Sequence, residues 1–286
     1  MLYSNLFQIL FNICNQVSKI NRRGSQIYHS NLFTLYLYMS IKLKDIDTKY
    51  KGPQEKEEGE KELEKLKKKL ELLQHLMYAE GKHALLVVLQ GMDASGKDGL
   101  IRNVFTGVNP QGCNVRSFKA PTEEELRHDF LWRIHHFLPA KGMFQVFNRS
   151  HYEDILYPTV NKTFEKKEIE RRYQVINHFE KHLQDSGTII LKFYLHISRE
   201  EQAERLQLRV DDPTKHWKYN SADQLEAKKW DKYMETYERI FDKCGKDIPW
   251  VIVPADTKWH RNIIIAQKIV DTLESLKMEY PKTINE

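Results

Sequence analysis

Residues 89–99, LQGMDASGKDG, set two glycines, Gly91 and Gly96, ahead of Lys97 and directly behind the apolar run ALLVVLQ. Glycines permit positive φ and close approach of a ligand. Successive backbone N–H groups then form an anion nest, and a helix starting near Lys97 adds positive potential. The chemistry is phosphate binding of the G-x-x-x-x-G-K-[ST] kind, with Lys97 supplying the full charge. Strand, spacing and lysine agree, which argues against a glycine-rich turn without a ligand. Two aspartates depart from the pattern: Asp98 stands where a hydroxyl would reach Mg²⁺, and Asp93 lies inside the cradle. A carboxylate there repels phosphate unless a cation stands between them. Magnesium suits that place, because it takes one or two carboxylates together with substrate oxygens and water. Asp93 is therefore the candidate metal ligand, directly or through water. Asp98, in the first helical turn, either balances the helix dipole or lies near the metal.

A second constellation is MFQVFNRSHYEDIL, residues 143–156. In many P-loop enzymes the third strand ends in an aspartate that completes the metal shell, and here Asn148 holds that position. Asn148, Arg149 and Glu153 then face the loop, where the planar fork of Arg149 can take phosphoryl oxygens. His151 reads as a hydrogen-bonded structural histidine, because phosphoryl transfer needs little help from proton transfer. Further cations fall near strand ends: Arg116 and Lys119 after the second strand, and Arg205, Arg209, Lys215 and Lys218 between the fourth and fifth. Ligands of open α/β sheets bind at the carboxyl ends of the strands. If these cations converge there, a long polyanion becomes a credible substrate.

The elements that must position these groups alternate. Strands are expected at ALLVVLQ, NVRSFKA, MFQVFN, GTIILKFYLHIS and PWVIVPA, with helices between them, which predicts a doubly wound α/β sheet of five parallel strands. Thr122 with Glu125, Ser198 with Glu201, and Ser221 with Gln224 match capping boxes. Leu63, Leu66, Leu70, Leu73 and Met77 recur at helical spacing, so this amphipathic helix either covers the chain's own body or pairs two copies in a homo-oligomer; the first is expected. Residues 198–245 exceed a simple crossover. Their helices are rich in Arg and Lys, and they read as a lid over an anionic substrate.

The whole chain has 286 residues, 41% hydrophobic and 30% charged, with a net charge of +5, which is ordinary for a globular protein and argues against wholesale disorder. Cys14, Cys113 and Cys244 form no C-x-x-C pair, so neither a zinc site nor a disulfide framework is indicated, and a reducing cytoplasm fits. Residues 1–38 read as a poorly ordered extension upstream of Met39, their apolar stretch being too short to span a membrane. Residues 39–286 then form one P-loop domain.

Read together, G-M-D-A-S-G-K-D-G, F-N-R-S-H-Y-E-D and R-V-D-D-P-x-K-x-W-K resemble the family-2 polyphosphate kinases, in that family's order, from about residue 40 onward. The resemblance implies a three-layer, thymidylate-kinase-like P-loop fold with a helical lid. It also implies reversible transfer of a terminal phosphoryl group between inorganic polyphosphate and a nucleotide, with Mg²⁺ or, alternatively, Mn²⁺. It gives the Walker A role to Gly91 through Asp98, Ala94 and Ser95 included, with Lys97 on the transferring phosphate. Arg149 takes the place of the family's arginine after the Walker B residue, and Arg209 that of its lid arginine. The better-known pattern reads D-R-S-W-Y and D-A-A-G-K-G-G, so Asn148 removes a charge and shifts the metal to Asp93, with Asn148 orienting a metal-bound water. The N-R-S-H-Y form is similar to a subgroup accepting mono- and diphosphates. It implies AMP and ADP as acceptors, guanine nucleotides as a further class, and neither a nucleic-acid nor a membrane partner. Two alternatives stand beside this. An ATP-dependent nucleoside monophosphate kinase is disfavoured by the missing Ser/Thr after Lys97, and a non-catalytic polyanion-binding module by the loop lysine itself.

Overall fold

The structure, a computed structural model, describes residues 41–52 and 55–282, so the expected extension over 1–38 lies outside the described residues. In chain order the elements are α1 (Lys56–Glu80), β1 (Ala84–Gln90), α2 (Lys97–Val104), β2 (Cys113–Ser117), α3 (Glu123–Leu126), α4 (Trp132–His135), β3 (Phe144–Asn148), α5 (Glu153–Asn161) and α6 (Lys166–Asp185). There follow β4 (Thr188–His196), α7 (Arg199–Asp211), a 3-10 turn (Pro213–Lys218), α8 (Ser221–Ala227), α9 (Trp230–Cys244), β5 (Trp250–Pro254) and α10 (Lys258–Ser275). The strands form one parallel sheet in the order β2-β3-β1-β4-β5. Helices α1, α2 and α10 pack together, as do α5, α6 and α9, giving a layer on each side of the sheet. Every residue of β1 and of β3 is buried. That is the expected fate of a continuous apolar run covered on both faces.

The leucine stripe of α1 belongs to this chain's own core: Leu63, Leu66, Leu70 and Met77 are buried there, with Leu73 half-buried against the same cluster. Gly59 lets α10 approach, since a Cβ at that position would meet the Trp259 ring at 2.3 Å. Local signals hold unevenly. Thr122 and Glu125 form the full capping box, and Ser198 accepts from the Glu201 amide, but α8 is capped by Asn220 rather than by Ser221. Asn220 wins because its side chain accepts from the Ala222 amide one step earlier. The Thr122 capping box opens two short helices of four residues each, α3 and α4, rather than one long one. Helix α5, with Pro158 inside it, was not anticipated.

Register brings the chemistry to one edge. Leu89 of β1 pairs with Asn148 of β3, and Ser117 of β2 with Asn148. The loop after β1 and the turn after β3 therefore leave the sheet side by side at its carboxyl end.

Candidate active site

The loop from Gly91 to Gly96 is built on backbone that only certain residues accept. Gly96 has φ 97° and caps α2 in the left-handed region, and Ala94 has φ 63°. A side chain at Gly96 would meet Arg261 Nη1 at 2.3 Å, and one at Gly91 would meet the Leu195 carbonyl at 2.9 Å. The loop is braced from behind by two guanidinium groups. Arg205 donates to the carbonyls of Ala94 (3.1 Å), Ser95 (3.0 Å), Ala255 (3.0 Å) and Asp256 (3.3 Å) and, through Nε, to Glu201 (2.7 Å). Arg261 donates to the Ser95 carbonyl at 3.3 Å and to Asn262. With its carbonyls turned back onto these arginines, the loop is free to turn N–H groups forward. Burial, and then Arg205 beside it, push the Arg261 group down to about 10.

Lys97 lies within the loop, donating to the carbonyls of Gly91 (2.7 Å) and Met92 (3.1 Å) and to Ser95 Oγ (3.3 Å). Burial first, and Arg149 second, push its ammonium down to about 8. A phosphate entering the nest would replace weak carbonyl partners with a full negative charge.

Across from the loop, Arg149 turns at φ 63°, its amide held by the Leu89 carbonyl at 3.0 Å, and its guanidinium pairs with Asp93. Burial works against the Arg149 charge, but Glu153 and Asp93 raise it above its ordinary value. Burial lifts the Glu153 carboxyl; Arg149 and Lys97 oppose this and Asp93 adds to it. Asp93, Arg149 and Glu153 line one cavity of about 30 Å³ with Tyr233 and Tyr237 of α9. That volume is enough to hold a water. Asn148 faces the other way: its amide donates to Asp98 at 2.8 Å, and Lys218, from the turn after α7, reaches the same carboxylate at 3.1 Å. Partial burial opposes the Asp98 charge, yet these two hydrogen bonds hold the carboxyl below its usual range. The charge missing from residue 148 is thus supplied next to it by residue 98, a pairing that no spacing in the sequence announces.

The remaining expected phosphate contacts divide. Arg209 pairs with Asp223 at 2.5 Å and reaches the Lys218 carbonyl at 3.4 Å. Arg116 lies over the Phe137 ring at 3.9 Å on β2, and Lys119 follows it, exposed. Lys215 pairs with Asp212 at 2.7 Å on the outer turn, and Arg205 lies behind the loop. Both are engaged away from the front of the cradle. His151 is buried and meets Glu180 through Nε2 at 3.1 Å. Arg261 was missed by sequence reasoning because a lone arginine at the start of α10 carries no motif. The oxygens of Asp93, Glu153 and Asp98 are hard donors that suit Mg²⁺. Among the described residues no three acids, histidines or cysteines form a closed cage. An ion that completes its shell with substrate oxygens and water needs none. Among the described residues no helix is long and apolar enough to cross a membrane.

The family model described as polyphosphate kinase 2 matches residues 53–281. An AMP/ADP-polyphosphate phosphotransferase of Meiothermus ruber is 50% identical over 213 residues, covering 74% of this chain and 80% of the relative. An ADP-polyphosphate phosphotransferase of Rhodopseudomonas palustris is 46% identical over 224 residues, covering 74% and 78%. The crystal structure of polyphosphate kinase 2 from Arthrobacter aurescens superimposes with a TM-score of 0.83 at 42% identity, over 86% of this chain and 89% of that one.

Proposed function

Because the chain belongs to the polyphosphate kinase 2 family, we propose that it transfers the terminal phosphoryl group of inorganic polyphosphate to AMP and ADP, giving ADP and ATP, in a reversible reaction. A phosphate oxygen of the acceptor attacks the terminal phosphorus. The bond to the bridging oxygen breaks, and the shortened polyphosphate leaves with the electron pair. Such a step calls for alignment and neutralisation of charge more than for covalent chemistry.

The observation that carries this proposal is the braced loop holding Lys97 opposite Arg149. The loop amides and Lys97 take the transferring phosphate, and the Arg149 fork takes its equatorial oxygens. Arg209 and Lys218 approach from residues 198–245, which act as the lid. Arg116 and Lys119, at the carboxyl end of β2, guide the acceptor phosphate. Arg205 supports the cradle from behind. Mg²⁺, or Mn²⁺ in its place, when bound, neutralises charge on the phosphate chain. Asp93 supplies its carboxylate for that ion, with Glu153 beside it, while Asn148 orients Asp98 on the other flank.

In the closed arrangement Arg149, Arg209 and Lys218 are each covered by a carboxylate of the chain itself. Substrate binding therefore exchanges these internal pairs for phosphate, and the lid moves as they part. A cytoplasmic setting is part of this reading, and the free thiols Cys113 and Cys244 support it.

The test is an acceptor panel of AMP, ADP, GMP and GDP, each with polyphosphate and Mg²⁺. Phosphorylation of both adenine nucleotides is expected, with guanine nucleotides measuring how far base selection extends. Product from neither AMP nor ADP would contradict the assignment.

A further inference from the structure

Beneath the site lies a charge that the reaction does not touch. Lys192 is in the middle of β4, and its side chain is 0% exposed. Its ammonium donates to Glu180 Oε2 at 2.6 Å, to Tyr152 Oη at 2.9 Å and to the Cys244 carbonyl at 2.6 Å. All three of its hydrogens thus have partners on three other segments: α6, the turn between β3 and α5, and the last residue of α9. The other oxygen of Glu180 accepts from Tyr152 Oη at 2.8 Å and from His151 Nε2 at 3.1 Å. Burial opposes the Glu180 charge, but Lys192 and His151 hold the carboxyl below its usual range.

A buried ion pair is weak evidence for stability, because well-packed apolar residues often do as well. Its geometry here does something that apolar residues cannot. Tyr152 and His151 follow Arg149 by three and two residues, and Arg149 itself sits in the left-handed region, where a non-glycine residue must be held. Ser150 between them is buried and takes a hydrogen bond from Gln90 at the end of β1 (3.3 Å). On the other side, α9 carries Tyr233 and Tyr237, which line the cavity opposite Arg149 and Glu153. Lys192 therefore bonds at once to the turn that aims Arg149 and to the end of the helix that returns from residues 198–245.

Resting on the polyphosphate kinase proposal above, we infer that Lys192, through Glu180, Tyr152 and His151, is a positioning residue that sets the Arg149 turn against the returning helix. It touches no substrate. Its effect falls on the alignment of the phosphoryl group, where a displacement of about 1 Å can cost about a hundredfold in rate.

The test compares the parent protein with the double variant Glu180→Gln/Lys192→Met, which removes both charges and so leaves no buried ion unpaired. The double variant is expected to melt close to the parent, with kcat for AMP and ADP lowered about tenfold or more and KM for nucleotide and polyphosphate within about threefold. Amide hydrogen exchange is expected to quicken over residues 149–153 and 241–244 and to stay unchanged in α10. A folded double variant with kcat within about twofold of the parent, or with unchanged exchange in those segments, would overturn the inference. Should the double variant not fold, Tyr152→Phe keeps both charges and removes only the bridging hydroxyl. It is expected to melt somewhat lower but remain folded and to lower kcat about threefold, and a parental kcat in the folded variant would overturn the inference instead. If the parent itself shows no polyphosphate-dependent activity, the proposed reaction fails, and the exchange measurement still decides whether Lys192 holds the turn.

Discussion

Lys97 is the residue on which the site turns, and its state in the free protein is set by burial among carbonyls with Arg149 nearby. Its folded value, about 8, lies below the ordinary 10.5. The unfolded chain therefore binds the proton more tightly between those values, so the burden Lys97 places on the fold is full below about 8 and is relieved as pH rises toward 10.5. For activity the sign is opposite, since the phosphate needs the ammonium. kcat/KM measured across pH is expected to fall above about 8, and a profile flat to pH 10 would show that Lys97 is not the titrating group. Replacing Lys97 with alanine should lower kcat by about a hundredfold or more with an unchanged circular dichroism spectrum. Lys97, the glycines and Asp93 were legible in the sequence because contiguous residues build the cradle. The Asn148 contact to Asp98 was not, because fifty positions of chain separate two residues that only the sheet register brings to 2.8 Å. The metal was expected on Asp93, directly or through water, with Asn148 or Glu153 nearby and Asp98 either near it or balancing the helix dipole; the structure sets Glu153 in one cavity with Asp93 and holds Asp98 against Asn148 and Lys218.

At the scale of elements, two arginines one turn apart on α7 have different tasks. Arg205, 9% exposed, holds four backbone carbonyls around the loop. Arg209 faces Asp223 and the turn that carries Lys218. Arg205→Ala should destabilise the fold by about 3 kcal/mol, because buried carbonyls lose a charged donor, and should show as a lowered melting temperature. Arg209→Ala should leave the melt unchanged and lower kcat/KM by about a hundredfold. The reverse pattern would exchange their roles. Sequence placed Arg205 among the phosphate contacts because it is basic and falls in the insertion, whereas the family resemblance gave Arg209 the lid arginine's catalytic place. Which face of a helix meets a loop is decided by packing, and the residues of α7 that face the loop, Gln202 and Arg205, are polar, so no apolar periodicity marked that side. The strands were legible because their runs are apolar throughout. Helix α5 was hidden by Pro158, which reads as a breaker; the hydrogen bond it cannot donate to the Asp154 carbonyl is replaced by one from Arg172 Nη1 at 2.7 Å, and α5 continues through it.

Over the whole molecule, the sheet order brings the loop, the turn after β3 and the end of β2 together at the carboxyl end of the strands, with Lys97, Arg149, Arg116 and Lys119 on those segments and Lys218 reaching Asp98. A polyanion bound by several such cations should feel ionic strength more than a nucleotide does. Raising salt from about 50 to 200 mM should therefore raise KM for long polyphosphate several times more than KM for AMP. Equal salt dependence would mean that only one or two phosphates are held. The most direct measurement is a donor test: AMP and ADP incubated separately with Mg²⁺ and either polyphosphate or ATP, followed by ³¹P NMR. Loss of terminal polyphosphate signal matched by growth of ADP from AMP and of ATP from ADP is the predicted result. Product formed from AMP only when ATP is the donor, with polyphosphate left intact, would contradict it.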